Sequence, residues 1–442
     1  MNTLEHCLGR NAALYPDKVA LRWSGGCMTY AELWADVQAR AARLAAEGLG
    51  QGRARLLRAT PDAGFIAAYF AVHLAGGVAV PLAADVPDSL STETDRLVSG
   101  ADIPPGTADI LFTTGTTGRS KGVLLSHTAL AANAENLAEA QGFSPALTFV
   151  ISGPLNHIGS LSKVWPVILT GGTLHLTEGL KEMDVFLSAF SRPAGRYATF
   201  LVPAALRMLM ALGGDRLSAL SGRMAFIETG AAPMAQADME RLCRLFPHSR
   251  LFNTYASTET GIVCTHDFNT PGGCVAGCLG RPMKHARVFI TPDHTVACQG
   301  PMLMSGYVNA PDAAAGILRD GTLFTHDLGR LDEAGRLHLS GRTDDVINVG
   351  GFKVAPAEVE EAALAQPEVA DCVCIGVPHP VMGSQLKLLV VPAEGAVLDK
   401  KGLARRLRAV LEAHKVPLQY EAVDSIRRTF NGKIDRKGYK EL

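Results

Sequence analysis

Apolar residues recur at helical spacing from Thr29 to Glu47, with Thr29 placed to cap the helix and Gly48 to stop it. Phe65 to Ala75 predicts a second helix, followed after Gly76-Gly77 by a short strand, VAVPL. A polar, proline-bearing stretch from Asp85 to Gly106 is too irregular to assign. Asp109 to Phe112 is a short strand that leads directly into a glycine-threonine loop, and Ser126 to Gln141 is a helix. Short strands and longer helices alternate through Pro247, the rhythm of an α/β fold built with crossovers. From Val275 to Leu339 the pattern changes to short strands and turns. Gly341 to Gly351 breaks the rhythm again. Beyond it, a helix (Pro356–Leu364), two extended runs (Val369–Val377, Lys387–Pro392) and a helix (Gly402–His414) predict a small separate α+β domain.

Composition narrows the classes. The chain has 442 residues, with 42 Lys+Arg against 43 Asp+Glu, so its charge balance makes no case for a nucleic-acid binder. The basic run Lys400 to Arg408 reads as a solvated helix face. Phe65 to Ala84 carries no formal charge and approaches the length of a membrane span, but His73, Gly76, Gly77 and Pro81 divide it into helix, turn and strand. No membrane span is expected. Nine cysteines are too few for a disulfide scaffold, and Cys264, His266, Cys274 and Cys278 lack the second close pair of a zinc site. The first twenty residues lack the basic and apolar regions of a signal peptide, so a reduced cytoplasmic setting is expected.

Four stretches carry chemistry. LFTTGTTGRSKG, Leu111 to Gly122, sits between strand and helix. Its backbone N–H groups and hydroxyls can cradle phosphate oxygens, and Lys121 adds charge; neither GxxxxGK[ST] nor GxGxxG is present. In NTYASTETG, Asn253 to Gly261, the carboxylate of Glu259 is flanked by hydroxyls; beside a polyphosphate it points to a bridging Mg2+. Asp327 can accept from a ribose diol, and Arg342 can reach the same sugar or its phosphate. In RRTFNGKIDRK, Arg427 to Lys437, the glycine before Lys433 lets the chain turn sharply and present an amine.

In this order, with the Gly-Ala-Ala-Pro stretch (Gly230, Ala231, Ala232, Pro233) and the Gly-Arg-x-Asp-Asp junction (Gly341 to Asp345), these motifs resemble the acyl-adenylating superfamily. That group comprises acyl- and aryl-CoA ligases, peptide-synthetase adenylation domains and firefly-type luciferases. The resemblance implies an adenylate-forming ligase fold, α/β with a β-rich subdomain. A large N-terminal domain (residues 1–342) would precede a small mobile α+β C-terminal domain (343–442), with Asp344 as hinge. It implies ATP and Mg2+. Adenine would lie beside Gly230 to Pro233 and Tyr255, ribose on Asp327 and Arg342, and phosphates against Thr113, Thr114, Gly115, Thr116, Thr117 and Gly118, with Lys121 and Thr258 nearby. Glu259 would hold Mg2+, and Lys433 would neutralise the charge that develops as a carboxylate attacks the α-phosphate. After adenylation the small domain would rotate, and Gly350, Gly351, Phe352 and Lys353 would line the tunnel for a pantetheine thiol.

The same resemblance places the acid beside Asn156, His157, Lys163, Thr229 and Ala256. Amino-acid adenylation domains usually keep an aspartate where Pro154 to Trp165 has no acid, which disfavours an α-amino acid. His157 matches the family's Phe-His pair, while Asn156 replaces its aromatic; His326 and Ala256 each replace a usual glycine. Lys163 either reaches solvent or pairs with a second acidic or phenolic group on the substrate. The expected acceptor of an aryl or acyl acid is CoA, with the phosphopantetheine of a separate carrier protein as alternative and a non-catalytic nucleotide-binding regulator as a remote one. The chain runs only nine residues past Lys433, so no fused carrier domain is expected. It is shorter than family members usually are, and the deficit falls between residues 82 and 109. That shortening would alter the acid pocket's outer wall or an oligomer surface, such as that of a homodimer.

Overall fold

Local signals set the first helices. Thr29 Oγ1 accepts from the Glu32 N–H (3.2 Å) while Glu32 accepts from the Thr29 N–H (2.7 Å), a capping box that starts the helix Tyr30–Ala46. Asp62 and Ser126 cap the helices Ala63–Leu74 and His127–Gln141 in the same way, each through its side-chain oxygen. The computed structural model describes residues 3–113, 121–180, 182–192, 195–349, 352–380, 383–429 and 433–440. The helix Ala63–Leu74 is buried on nearly every side, which explains its lack of charge without a membrane. No described helix is long and apolar enough to cross a membrane. The unassigned stretch 85–106 contains a helix after all, Asp88–Ser99. It follows Pro87 without a side-chain cap and buries only Thr94 and Val98, so neither capping nor periodicity marks it.

Among the described residues the strands form three sheets. At the centre of the largest, the strands Thr173–Leu176, Leu147–Ile151, Arg196–Phe200, Met224–Gly230 and Arg250–Ser257 run parallel as neighbours. Beyond Arg250–Ser257 the pairing turns antiparallel through Gly261–Asp267, Cys278–Pro282, Leu337–Arg342 and Thr322–Leu331, the expected β-rich region. A second sheet holds Ala54–Arg58, Val78–Leu82 and Thr107–Thr113 in parallel, with Lys121–Ser126 antiparallel and Gly306–Tyr307 at its edge. The third, in the small C-terminal α+β domain, joins Ile347–Val349, Phe352–Val354, Val369–His379, Gly383–Pro392 and Gln419–Ala422 over its own core of Val354, Val359, Leu388 and Leu403. Parallel strands leave a crevice beyond their carboxyl ends, and Ile151, Gly230 and Ser257 all end there.

Within the core, one charge pair corrects the reading of Lys163. The helix Ile158–Thr170 carries Lys163 inward, not to solvent: it is 1% exposed, and its Nζ donates to Glu228 Oε1 at 2.7 Å. Glu228, on the strand Met224–Gly230, is itself fully buried. Burial pulls the Lys163 ammonium below the ordinary lysine range, and Glu228 opposes that shift. The positive charge is therefore matched within the protein and does not offer itself to a second acidic group on a substrate. Removing one partner of such a pair strands the other charge. Lys163→Met should lower unfolding free energy by about 3–5 kcal/mol in urea titrations. Lys163→Met/Glu228→Gln should recover most of that loss, and a single variant as stable as the parent would contradict the pairing.

Candidate active site

Three of the expected site segments follow the carboxyl ends of parallel strands. After Leu147–Ile151 the chain turns through Asn156 to His157, which sits at the N-cap of Ile158–Thr170. After Met224–Gly230 comes the Gly-Ala-Ala-Pro turn, in which Ala231 adopts a left-handed φ of 68°, a conformation that costs an alanine about 1–2 kcal/mol. Buried Met234 anchors the far side of that turn, leaving Ala231 and Pro233 exposed and Ala232 half-buried. A Cβ on Gly230 would stand 2.7 Å from the Thr254 carbonyl oxygen, so the neighbouring strand requires glycine there. Thr229, just before it, is 1% exposed, and its Oγ1 has no partner among the described residues.

Thr258, Glu259 and Thr260 form the tight turn between Arg250–Ser257 and Gly261–Asp267. Ser257 and Thr260 exchange side-chain and backbone hydrogen bonds across it, at 2.9 and 3.0 Å. A register shift between Tyr255 and Ala256 re-aims both side chains at this end of the strand. Behind the turn, Asn133 of the helix His127–Gln141 accepts from the Ile262 N–H at 2.7 Å. Gly261 (φ 66°) lies so close that a Cβ there would stand 2.6 Å from Asn133 Oδ1. Glu259 is half-buried; its Oε1 accepts from the Tyr307 hydroxyl at 3.0 Å, and its other oxygen makes no hydrogen bond among the described residues. Tyr307 also lies under the Lys121 ammonium, 5.1 Å from ring centroid to Nζ, and its edge strand pairs with Lys121–Ser126. Burial first, then Glu259, push the Tyr307 phenol upward, so it stays a donor. Sequence reasoning missed Tyr307, Asn133 and Glu228, because each acts through a partner distant along the chain.

The expected ribose pair assembles across one ladder. Asp327 lies directly opposite Arg342, whose guanidinium stands 3.7 Å from Asp327 Oδ1, and the Tyr255 hydroxyl donates to Oδ2 at 2.6 Å. Arg342 also reaches Asp344 at 3.7 Å, and His326 Nδ1 lies 3.1 Å from the same carboxylate. His326 thus faces the expected hinge residue as well as the sugar position.

Lys433 of the small domain completes the cluster. It retains open surface, yet enough protein surrounds its ammonium to pull it below the ordinary lysine value; loss of hydration is the main cause and the Arg342 charge the second, with Asp327 and Glu259 opposing. His157 is likewise held down by burial and then by Lys433, leaving the imidazole neutral near pH 7. The structure therefore brings Lys433, His157, Glu259, Asp327 and Arg342 into one electrostatic neighbourhood. Its backbone is tied down on both sides: Arg428 pairs with Asp371 at 2.7 Å, and Arg436 with Glu360 at 2.6 Å and Asp345 at 3.1 Å.

Other expected residues stand apart. Phe352 and Lys353 are exposed, with the Phe352 ring stacked on His414 at 4.6 Å. Thr113 is half-buried at the start of the expected phosphate loop, opposite Lys121. Thr114, Gly115, Thr116, Thr117 and Gly118, with Gly350 and Gly351 of the expected thiol tunnel, lie outside the described residues.

Comparison with known proteins places this geometry. The family model of AMP-binding enzymes matches residues 8–91 and 99–308, and that of the AMP-binding enzyme C-terminal domain matches 358–433. Residues 92–98 lie between the two matched stretches of the first model. An indoleacetate–CoA ligase of Aromatoleum aromaticum is 27% identical over 505 aligned positions, covering 99% of this chain and 98% of that protein. The ATP-bound crystal structure of MatB from Rhodopseudomonas palustris shares the fold, with a TM-score of 0.87 at 24% identity over 100% of this chain and 99% of that one. The amide bond synthetase McbA from Marinactinospora thermotolerans superposes with a TM-score of 0.86 at 27% identity, covering 99% of both chains. The chain belongs to the AMP-binding enzymes, an acyl-adenylating ligase superfamily.

Proposed function

We propose that the protein activates a monocarboxylic acid, aryl or acyl, with ATP and Mg2+, releases pyrophosphate, and transfers the acyl group to the pantetheine thiol of CoA. The observation that carries this reading is Lys433, whose ammonium interacts electrostatically with Arg342, Asp327, Glu259 and His157. A carboxylate oxygen attacks the α-phosphorus, the P–O bond to pyrophosphate breaks, and Lys433 offsets the negative charge shared by nucleophile and phosphate. Glu259, oriented by Tyr307, offers its other oxygen to the Mg2+ that accompanies the phosphates. Asp327 accepts from the ribose diol, and the open face of Ala231 to Pro233 receives the base.

The acid enters between the turn at His157 and the turn at Gly230. With its charge matched by Glu228, Lys163 is not a spare cation for a second carboxylate. The thiol step follows rotation about Asp344, which breaks its contacts to Arg342 and His326. Exposed Phe352 and Lys353 belong to the face that the rotation brings in. A CoA acceptor is supported by the relative named as a CoA ligase.

An acid panel incubated with ATP and Mg2+, read by pyrophosphate release, tests activation; monocarboxylic acids should outperform their dicarboxylic analogues. Offering free CoA, a phosphopantetheinylated carrier protein or an amine separates the acceptors, and saturable thioester formation with CoA alone is expected. Lys433→Ala should slow adenylation about 10²–10³-fold while leaving thioester formation from supplied acyl-adenylate nearly intact; equal loss in both steps would refute this division of roles. Because Lys433 must stay protonated and its pKa is lowered, kcat/KM for activation should fall as pH rises at a value below the usual 10.5. Lys433→Arg should abolish that limb. Tyr307→Phe should cost adenylation about tenfold, the worth of one hydrogen bond to a charged group, and an unchanged rate would remove Tyr307 from the account.

A further inference from the structure

Away from this cleft, three helices bury a second polar cluster. Glu5 lies on the helix Leu4–Leu14, His73 near the end of Ala63–Leu74, and His127 at the start of His127–Gln141. Their candidate ligand atoms all fall within 4.8 Å of one another. Two of these groups are almost fully enclosed and incompletely satisfied. Glu5 is 5% exposed and His73 3%, yet Glu5 Oε2 and His73 Nδ1 have no hydrogen-bond partner among the described residues. Unpaired buried polar atoms are costly, so two of them on residues of one such cluster call for a ligand.

The surroundings say which kind. His73 Nε2 lies 2.8 Å from Asp109 Oδ1, and the other Asp109 oxygen accepts from the Tyr69 hydroxyl at 2.8 Å, which in turn accepts from Trp165 Nε1 at 3.0 Å. A carboxylate behind one imidazole nitrogen fixes the tautomer and leaves the other nitrogen's lone pair pointing forward, the arrangement that orients histidine ligands to metals. His127 presents Nδ1 to Glu5 Oε1 at 3.7 Å, and its ring lies 5.2 Å from that of His73. Tetrahedral zinc with bonds of about 2.0–2.2 Å sets its ligand atoms about 3.4 Å apart, so small side-chain rotations suffice. We propose that Glu5, His73 Nδ1 and His127 Nδ1 bind one Zn2+, with Asp109 as the partner that orients His73. Two carboxylates and two neutral imidazoles around a dication leave the buried cluster without net charge. The His127 side chain, 23% exposed, admits a water as fourth ligand and marks the entry path. The ion would fasten the first helix to the base of the Thr107–Thr113 and Lys121–Ser126 hairpin, whose opposite end is the phosphate loop.

The test uses untagged full-length protein, stripped with chelator, dialysed against Zn2+ and assayed by elemental analysis. One equivalent is expected, raising the melting temperature. Glu5→Gln and His127→Gln should each lose it while keeping the parent's circular dichroism, and Asp109→Asn should weaken binding about 10- to 100-fold. X-ray absorption of the Co2+ form gives a readout without variants: two imidazoles, light-atom ligands and no sulfur are expected. No retained metal, sulfur in the first shell, or undiminished binding in folded Glu5 and His127 variants would each overturn the assignment.

Discussion

A carboxylate and a triphosphate repel each other, so any cleft that joins them has to hold positive charge at their meeting point. In the proposed reaction that charge comes from Lys433, in a different domain than the one that forms the floor. Lys433 feels the charges of Arg342, Asp327 and Glu259, and the described residues on either side of it are held in the small domain by ion pairs, Arg428 with Asp371 and Arg436 with Glu360 and Asp345. Asp345 adjoins the proposed hinge, so the support for the ammonium and the pivot of the domain share one ion-pair network. Crowding that lowers the Lys433 pKa is the cost of placing it there, and the neighbouring carboxylates limit that cost.

The floor is rigid for related reasons. Parallel strands end together, and the turns that follow are short and over-determined. Asn133 and the Ser257–Thr260 exchange fix the turn of Glu259, while Tyr307 fixes its carboxylate. Ala231 is held in a left-handed conformation by the buried strand before it and Met234 after it. Each device spends local stability on the position of a group that a nucleotide would meet.

What could be read from the chain alone follows the range of the interactions. Thr29, Ser126 and the VAVPL strand were legible because caps and periodicity act within a few residues. The ordered motifs marked Glu259, Asp327, Arg342 and Lys433, since glycine and hydroxyl patterns around a phosphate site are local too. The helix Asp88–Ser99 escaped notice for lack of a cap and of a sustained apolar stripe. Lys163 was misread because its partner, Glu228, is supplied by sheet topology, 65 residues away. The meeting of Glu5, His73 and His127 was equally invisible, three helices contributing one residue each.

The central claim is that a carboxylate oxygen becomes bonded to the α-phosphorus of ATP. Turnover with an acid labelled with oxygen-18 in both carboxylate positions, and with CoA present, tests it through the mass of the AMP released. One labelled oxygen is expected in AMP and none in pyrophosphate, because thiol attack at the acyl carbon leaves the bridging oxygen on phosphorus. Unlabelled AMP, or label in inorganic phosphate beside ADP, would contradict it.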